Sequence, residues 1–107
     1  MDVQRKKGLL EICVLAVLSK DSSYGYMIMG KVSQCIEISE STLYPILKRL
    51  EHNGCLKTYS QEHNGRIRKY YEITETGKTK IRDFLNEWEE MKTIYHFIEE
   101  NNKEGSQ

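Results

Sequence analysis

Two clusters of short hydrogen-bonding and cationic side chains stand in the middle of the chain: Ser41, Thr42, Tyr44, Lys48 and Arg49, then His63, Asn64, Arg66, Arg68 and Lys69. Hydroxyls interleaved with cations bind phosphate oxygens and the hydrogen-bonding edges of bases, and they break no covalent bond by themselves. Arrangements that would do bond chemistry are not legible in the sequence. His52, His63 and His96 are scattered with no pair at metal spacing, and no Ser/His/Asp set, phosphate-cradling glycine loop or carboxylate pair stands out. Cys13, Cys35 and Cys55 are odd in number and form no C-x-x-C pair, which excludes a zinc finger, disfavours a disulfide framework and reads as buried thiols in a reducing compartment. The expectation is a chain without catalytic residues, metal or cofactor.

Charge supports a binding role once it is divided along the chain. The total is zero, with 16 basic and 16 acidic residues. Residues 41–70, however, carry six basic groups against two acidic, and residues 71–107 carry five against nine. A basic middle attached to an acidic arm is the asymmetry that phosphate binding requires. The chain is 107 residues long, one domain's worth, and its hydrophobic fraction of 38% implies a thin core. Thin cores on short chains often need a second subunit to bury what remains.

The elements that must hold the two clusters follow from periodicity. Leu9–Leu18 is apolar on almost every side and reads as a central helix. A second helix runs from about Tyr24 to Cys35 behind Ser22 or Ser23 as cap. Its first residues, Tyr24 and Tyr26, can set a hydroxyl on a phosphate at a helix N-terminus, or one of them can be a half-buried aromatic. A third helix begins among Ser39–Thr42 and ends at Asn53-Gly54, with Leu43, Ile46, Leu47 and Leu50 as its buried stripe. Ser41, Pro45, Lys48 and His52 then form the opposite face, with Tyr44 and Arg49 on its flanks. Leu56–Gln61 and Arg66–Ile73 alternate as a two-stranded hairpin around Asn64-Gly65, and one of Tyr70 and Tyr71 should be core. Thr74 caps a fourth helix whose apolar stripe continues to Ile98, about 25 residues or roughly 37 Å. That stripe outruns one small domain, so part of it needs a partner chain.

Three helices and a basic hairpin in this order make a winged helix-turn-helix, mostly α with a β-hairpin wing, followed by a long C-terminal dimerisation helix. The division is 1–73 for the DNA-binding domain, 74–100 for the dimerisation helix and 101–107 for a disordered tail. On this reading Tyr24, Tyr26, Ser41, Thr42, Tyr44, Lys48, Arg49, His63, Asn64, Arg66, Arg68 and Lys69 meet double-stranded DNA. The same basic face also suits an acidic protein partner, which keeps an interaction module as the competing reading.

Lys7-Gly8-Leu9-Leu10-Glu11 with Val14–Leu18 and Tyr24-Gly25-Tyr26, the run Ser41–Gly54, and the run Gly65–Gly77 together resemble the PadR family of transcriptional regulators. The resemblance covers about residues 7–98. It implies a homodimeric repressor on a palindromic operator, in which the long C-terminal helix of one subunit packs on the N-terminal helix of the other. The dimer face would take in Leu10, Ile81, Leu85, Trp88, Met91, Tyr95 and Ile98. It also implies the short subgroup with a single C-terminal helix, some members of which hold planar aromatic compounds at the dimer centre. Trp88 aligns with the tryptophan that stacks on those ligands, and Glu11, Ile12, Phe84 and Lys92 fall near the same space. Lys92 stands where drug-binding members carry an acidic residue, which argues against cationic ligands. Packing alone also explains Trp88, since it lies on the apolar stripe.

Arg5-Lys6-Lys7 before Leu9–Leu18 imitates a signal peptide, but Glu11 interrupts the run and no small-residue cleavage site follows. The run is also too short to span a membrane, so the reading is a cytoplasmic protein without a membrane partner.

Overall fold

Asp2 starts the first helix by accepting the Arg5 N–H at 2.8 Å, so α1 (Val3–Leu18) begins well before the apolar run. The computed structural model describes residues 1–103, and the part of the expected tail at 104–107 lies outside the described residues. A two-residue strand β1 (Ser23–Tyr24) leads into α2 (Gly25–Val32), followed by α3 (Glu40–His52), β2 (Leu56–His63), β3 (Arg66–Ile73) and α4 (Glu75–Asn101). The sheet is antiparallel in the order β1-β3-β2.

Val14 and Leu15 of α1, Ile28 of α2 and Leu43 and Leu47 of α3 are fully buried, so the three helices close one core around α1. All four residues of the expected α3 stripe are buried. Pro45 lies inside α3 and has no N–H, which leaves the Ser41 carbonyl without its usual donor four residues on. Tyr71 is buried on the core side of β3 and Tyr70 is half-exposed on the other, as alternation requires.

Several expectations are corrected. Ser23 does not cap α2: it is buried and pairs with Tyr71, while Tyr24 pairs with Tyr70, so the hairpin gains a third strand. The hydrogen-bonding edge of β3 needs a partner, and the two extended residues before α2 supply it. The α2 helix stops at Val32 rather than Cys35, because the Gln34 and Cys35 amides turn back to carbonyls three residues behind. The hairpin strands reach the turn itself, with His63 opposite Arg66 and only Asn64 and Gly65 between them. Both turn residues have positive φ, 52° and 80°, the signs that a tight hairpin matched to strand twist demands. Leu10 belongs to its own subunit's core at 3% exposure, because it shares one face of α1 with Val14 and Leu18. Cys55 is buried, but Cys35 is exposed and Cys13 half-buried. Burial first, and the neighbouring Cys35 second, push the Cys13 thiol pKa up, which favours the protonated thiol.

Thr74 fixes the angle at which α4 leaves the domain. Its hydroxyl donates to the Gly54 carbonyl at 2.6 Å and accepts the Gly77 N–H at 3.2 Å. Thr74→Val removes both contacts and is expected to cost about 1 kcal/mol, lowering Tm by about 4–8 °C in a thermal melt. An unchanged Tm would show that the cap does not hold the junction. Ile81 packs on the core and Phe84 is half-buried beside α1, and the rest of α4 projects from the domain and stretches the molecule to 67 Å.

Candidate nucleic-acid interface

The exposed face of α3 carries Ser41, Thr42, Tyr44, Lys48 and His52. At its start the Ser39 hydroxyl lies 3.0 Å from that of Ser41 and donates to Thr42 Oγ1 at 3.2 Å. Ser39 is the N-cap residue, yet its side chain caps no backbone amide, being engaged by these two hydroxyls. The result is a linked cluster of hydroxyls at the helix end, the part of a helix that reaches base edges when it lies in a major groove.

Tyr44 leans from α3 over the start of α2. A Cβ on Gly25 would come within 2.8 Å of the Tyr44 ring carbon Cζ, so glycine makes room for this approach. Between them opens a hollow of about 440 Å³ lined by Tyr24, Tyr26, Tyr44, Arg68 and Lys69 among others. The fold thus gathers five of the expected contact residues from four separate elements.

The outer face of the wing is an aromatic ladder with a cation at its end. Tyr59 stacks on Tyr70 at 5.4 Å, Tyr70 meets Tyr24 edge-on at 5.5 Å, and Arg68 sits 4.2 Å above the Tyr24 ring. This holds the Arg68 side chain in place without neutralising it. Lys69, on the opposite face, lies 3.7 Å from Glu51, so part of its charge is already answered. Among the described residues no carboxylate lies within ion-pairing distance of Lys48, Arg66 or Arg68. His63, Asn64 and Arg66 are exposed at the tip. Burial first, with the negative charge of Glu51 second, raises the Tyr71 pKa and keeps that phenol neutral.

Arg49 does not join the reading face. Its Nη2 and Nε lie 2.6 and 2.7 Å from Glu11 Oε2 on α1. Position 49 is on the flank next to the buried stripe, and the carboxylate across the helix interface draws the guanidinium inward. Lys80 of α4 lies 3.3 Å from the other oxygen, Glu11 Oε1. The charge of Glu11 is therefore committed within the protein.

The residues expected around an aromatic ligand divide. Glu11, Ile12 and Phe84 line a groove of about 820 Å³ between α1 and α4. Trp88 and Lys92 are not part of that lining, being one and two turns further along α4, and Lys92 is paired with Glu89 at 2.9 Å. Sequence reasoning passed over Tyr59, visible only through cross-strand pairing with Tyr70, and Ile67, which is 79% exposed between two arginines.

Residues 14–83, from the middle of α1 through the wing and the first turns of α4, match the Transcriptional regulator PadR-like family. The chain belongs to the PadR-like family. Solved structures extend the likeness along α4. A Streptococcus mutans protein is 44% identical, with a TM-score of 0.78 over 91% of this chain and 92% of its own. A PadR-like transcription factor from Bacteroides fragilis is 32% identical, with a TM-score of 0.80 over 89% and 94%. A PadR family transcription regulator from Clostridium difficile is 30% identical, with a TM-score of 0.77 over 83% and 96%. In this PadR-like chain no described helix is long and apolar enough to cross a membrane. Among its described residues no cluster of His, Cys, Asp and Glu has the makings of a metal site.

Proposed function

We propose that this PadR-like transcriptional regulator acts as a homodimeric repressor, seating α3 of each subunit in the major groove of a palindromic operator and laying each wing along the backbone. The observation that carries the reading is the exposed hydroxyl and cation face of α3 beside unpaired wing cations. Ser41, Thr42, Tyr44 and Lys48 face base edges, His63, Asn64, Arg66 and Arg68 meet phosphates or the minor groove, and Tyr24 and Tyr26 flank the helix. Half-sites should lie about 34 Å apart or at a multiple of it.

The test is fluorescence anisotropy with a duplex that the protein itself selects from a randomised pool, beside a scrambled duplex, at several salt concentrations. Arg66→Ala is expected to weaken both duplexes and to lower the salt slope by about one, whereas Lys48→Ala is expected to weaken the selected duplex more than the scrambled one. Thr42→Val is expected to weaken the selected duplex alone, by about 1–3 kcal/mol. No preference of the parent protein for the selected duplex would leave the acidic-partner reading in its place.

Release by a planar aromatic effector fits the half-exposed Trp88 beside the groove holding Ile12 and Phe84. Trp88 is the single tryptophan, so quenching of its fluorescence across a panel of planar aromatics reads this directly. Because effector and operator affinities are reciprocally coupled, a quencher that leaves operator affinity unchanged would dispose of the switch.

A further inference from the structure

We propose that Glu11 is a positioning residue for DNA reading: its carboxylate ties the reading helix α3 to α1 and α4, so that the orientation of α3 is set from the α1/α4 groove. The inference rests on the DNA-binding reading above. Three elements meet at this one side chain. Oε2 accepts the Arg49 Nε–H at 2.7 Å and lies 2.6 Å from Arg49 Nη2, and Oε1 faces Lys80 Nζ at 3.3 Å. Glu11 is only 14% exposed, so the contact is far less screened than a surface pair. Arg49 Nη2 is itself buried and makes no hydrogen bond, so the charge of Glu11 at 2.6 Å is what compensates it. The Arg49 side chain is 34% exposed overall, so taking away the carboxylate leaves its buried Nη2 end uncompensated and frees the arginine to swing out to solvent.

What moves with it is the reading face. Arg49 follows Lys48 in sequence, and Leu50 behind it packs into the core, so a shift of Arg49 is felt in the same helical turn that presents the DNA contacts. On the other side, Glu11 lines the groove that Lys80 and Phe84 also line. A molecule or helix settling there meets the carboxylate that holds α3. A groove occupant that competes with Arg49 for Glu11 therefore changes DNA affinity without touching DNA, through a differential contact of the kind linkage requires.

The sign of one substitution separates this from simple electrostatics. Glu11→Gln removes a negative charge from a protein that binds a polyanion, which by charge alone tightens binding to every duplex. The positioning role predicts the opposite: affinity for the selected duplex falls about tenfold, affinity for scrambled DNA stays level, and the salt slope is unchanged. Arg49→Lys keeps the charge but loses the planar two-nitrogen contact, and it is expected to show the same selective loss. It serves as the second variant should Glu11→Gln fail to fold by far-ultraviolet circular dichroism. The double variant Glu11→Gln/Arg49→Gln is expected to be no weaker than Glu11→Gln, since the pair acts as one unit.

Equal or tighter binding by Glu11→Gln overturns the inference, as does equal weakening on both duplexes. A drop of about one in the salt slope for Arg49→Gln would place Arg49 on a phosphate and overturn it as well. If the parent protein shows no preference for its selected duplex, the DNA reading itself has failed and takes the inference with it. A parent that prefers its duplex beside indifferent variants is a failure of the positioning role alone.

Discussion

Met91→Glu is expected to convert the proposed dimer to a 12.6 kDa monomer and to remove most of its operator affinity. The reason lies in what α4 leaves uncovered. Leu85, Trp88, Met91, Tyr95 and Ile98 are each between 50% and 58% exposed in the single chain, and they recur on one side of the helix. Ile94 and Phe97 widen the stripe. Only Ile81 and Phe84, near its start, find cover in their own subunit. A continuous apolar surface of this kind marks an interface, and a carboxylate at its centre would have to be desolvated without a partner. Each subunit would then hold one half-site alone. Losing the second, intramolecular binding event costs about 10²–10⁴ in affinity. Multi-angle light scattering on a sizing column, paired with an operator titration, reads both effects. A dimer that survives Met91→Glu, or a monomer that binds as tightly, would contradict the assignment of the stripe.

Leu47→Ala should be the most damaging single truncation behind the reading face. Leu47 is fully buried, and with Leu43 and Ile46 it seats α3 against the rest of the core. Removing its branched end leaves a cavity that such a close-packed site fills only in part, at a cost of about 2–5 kcal/mol. The core is thin, and single domains hold only about 5–15 kcal/mol in total. Urea denaturation at a fixed protein concentration is expected to show that loss, the concentration being held constant because the proposed dimerisation would add to stability. A cost under about 1 kcal/mol would mean that α3 is seated mainly by its polar ties, Arg49 to Glu11 among them.

Strong periodicity made much of this legible in the sequence. The α3 stripe, the Asn64-Gly65 turn, the Thr74 cap and the over-long α4 each rest on local chemistry that needs no tertiary context. What stayed hidden was what depends on a neighbour. β1 is too short to have a period and exists because β3 offers it an edge. Arg49 sits on a flank where helical geometry allows either face, and Glu11 on another helix decides which. Leu10 is indistinguishable from an interface leucine until α1 is packed. Trp88 was grouped with Glu11 and Phe84 through the family resemblance, whereas the helix carries it beyond the groove those two line. The neutral total charge had a similar cause: the sum is taken over the acidic α4 together with the basic wing.

On the function proposed above, α3 and the wing meet DNA as a symmetric pair. Hydroxyl-radical footprinting of the selected duplex tests it most directly. Two protected patches related by two-fold symmetry are expected, with centres about 34 Å or a multiple apart, and flanking protection that disappears in Arg66→Ala as the wing leaves the backbone. Uniform cleavage along the duplex, or one asymmetric patch unaffected by Arg66→Ala, would contradict it.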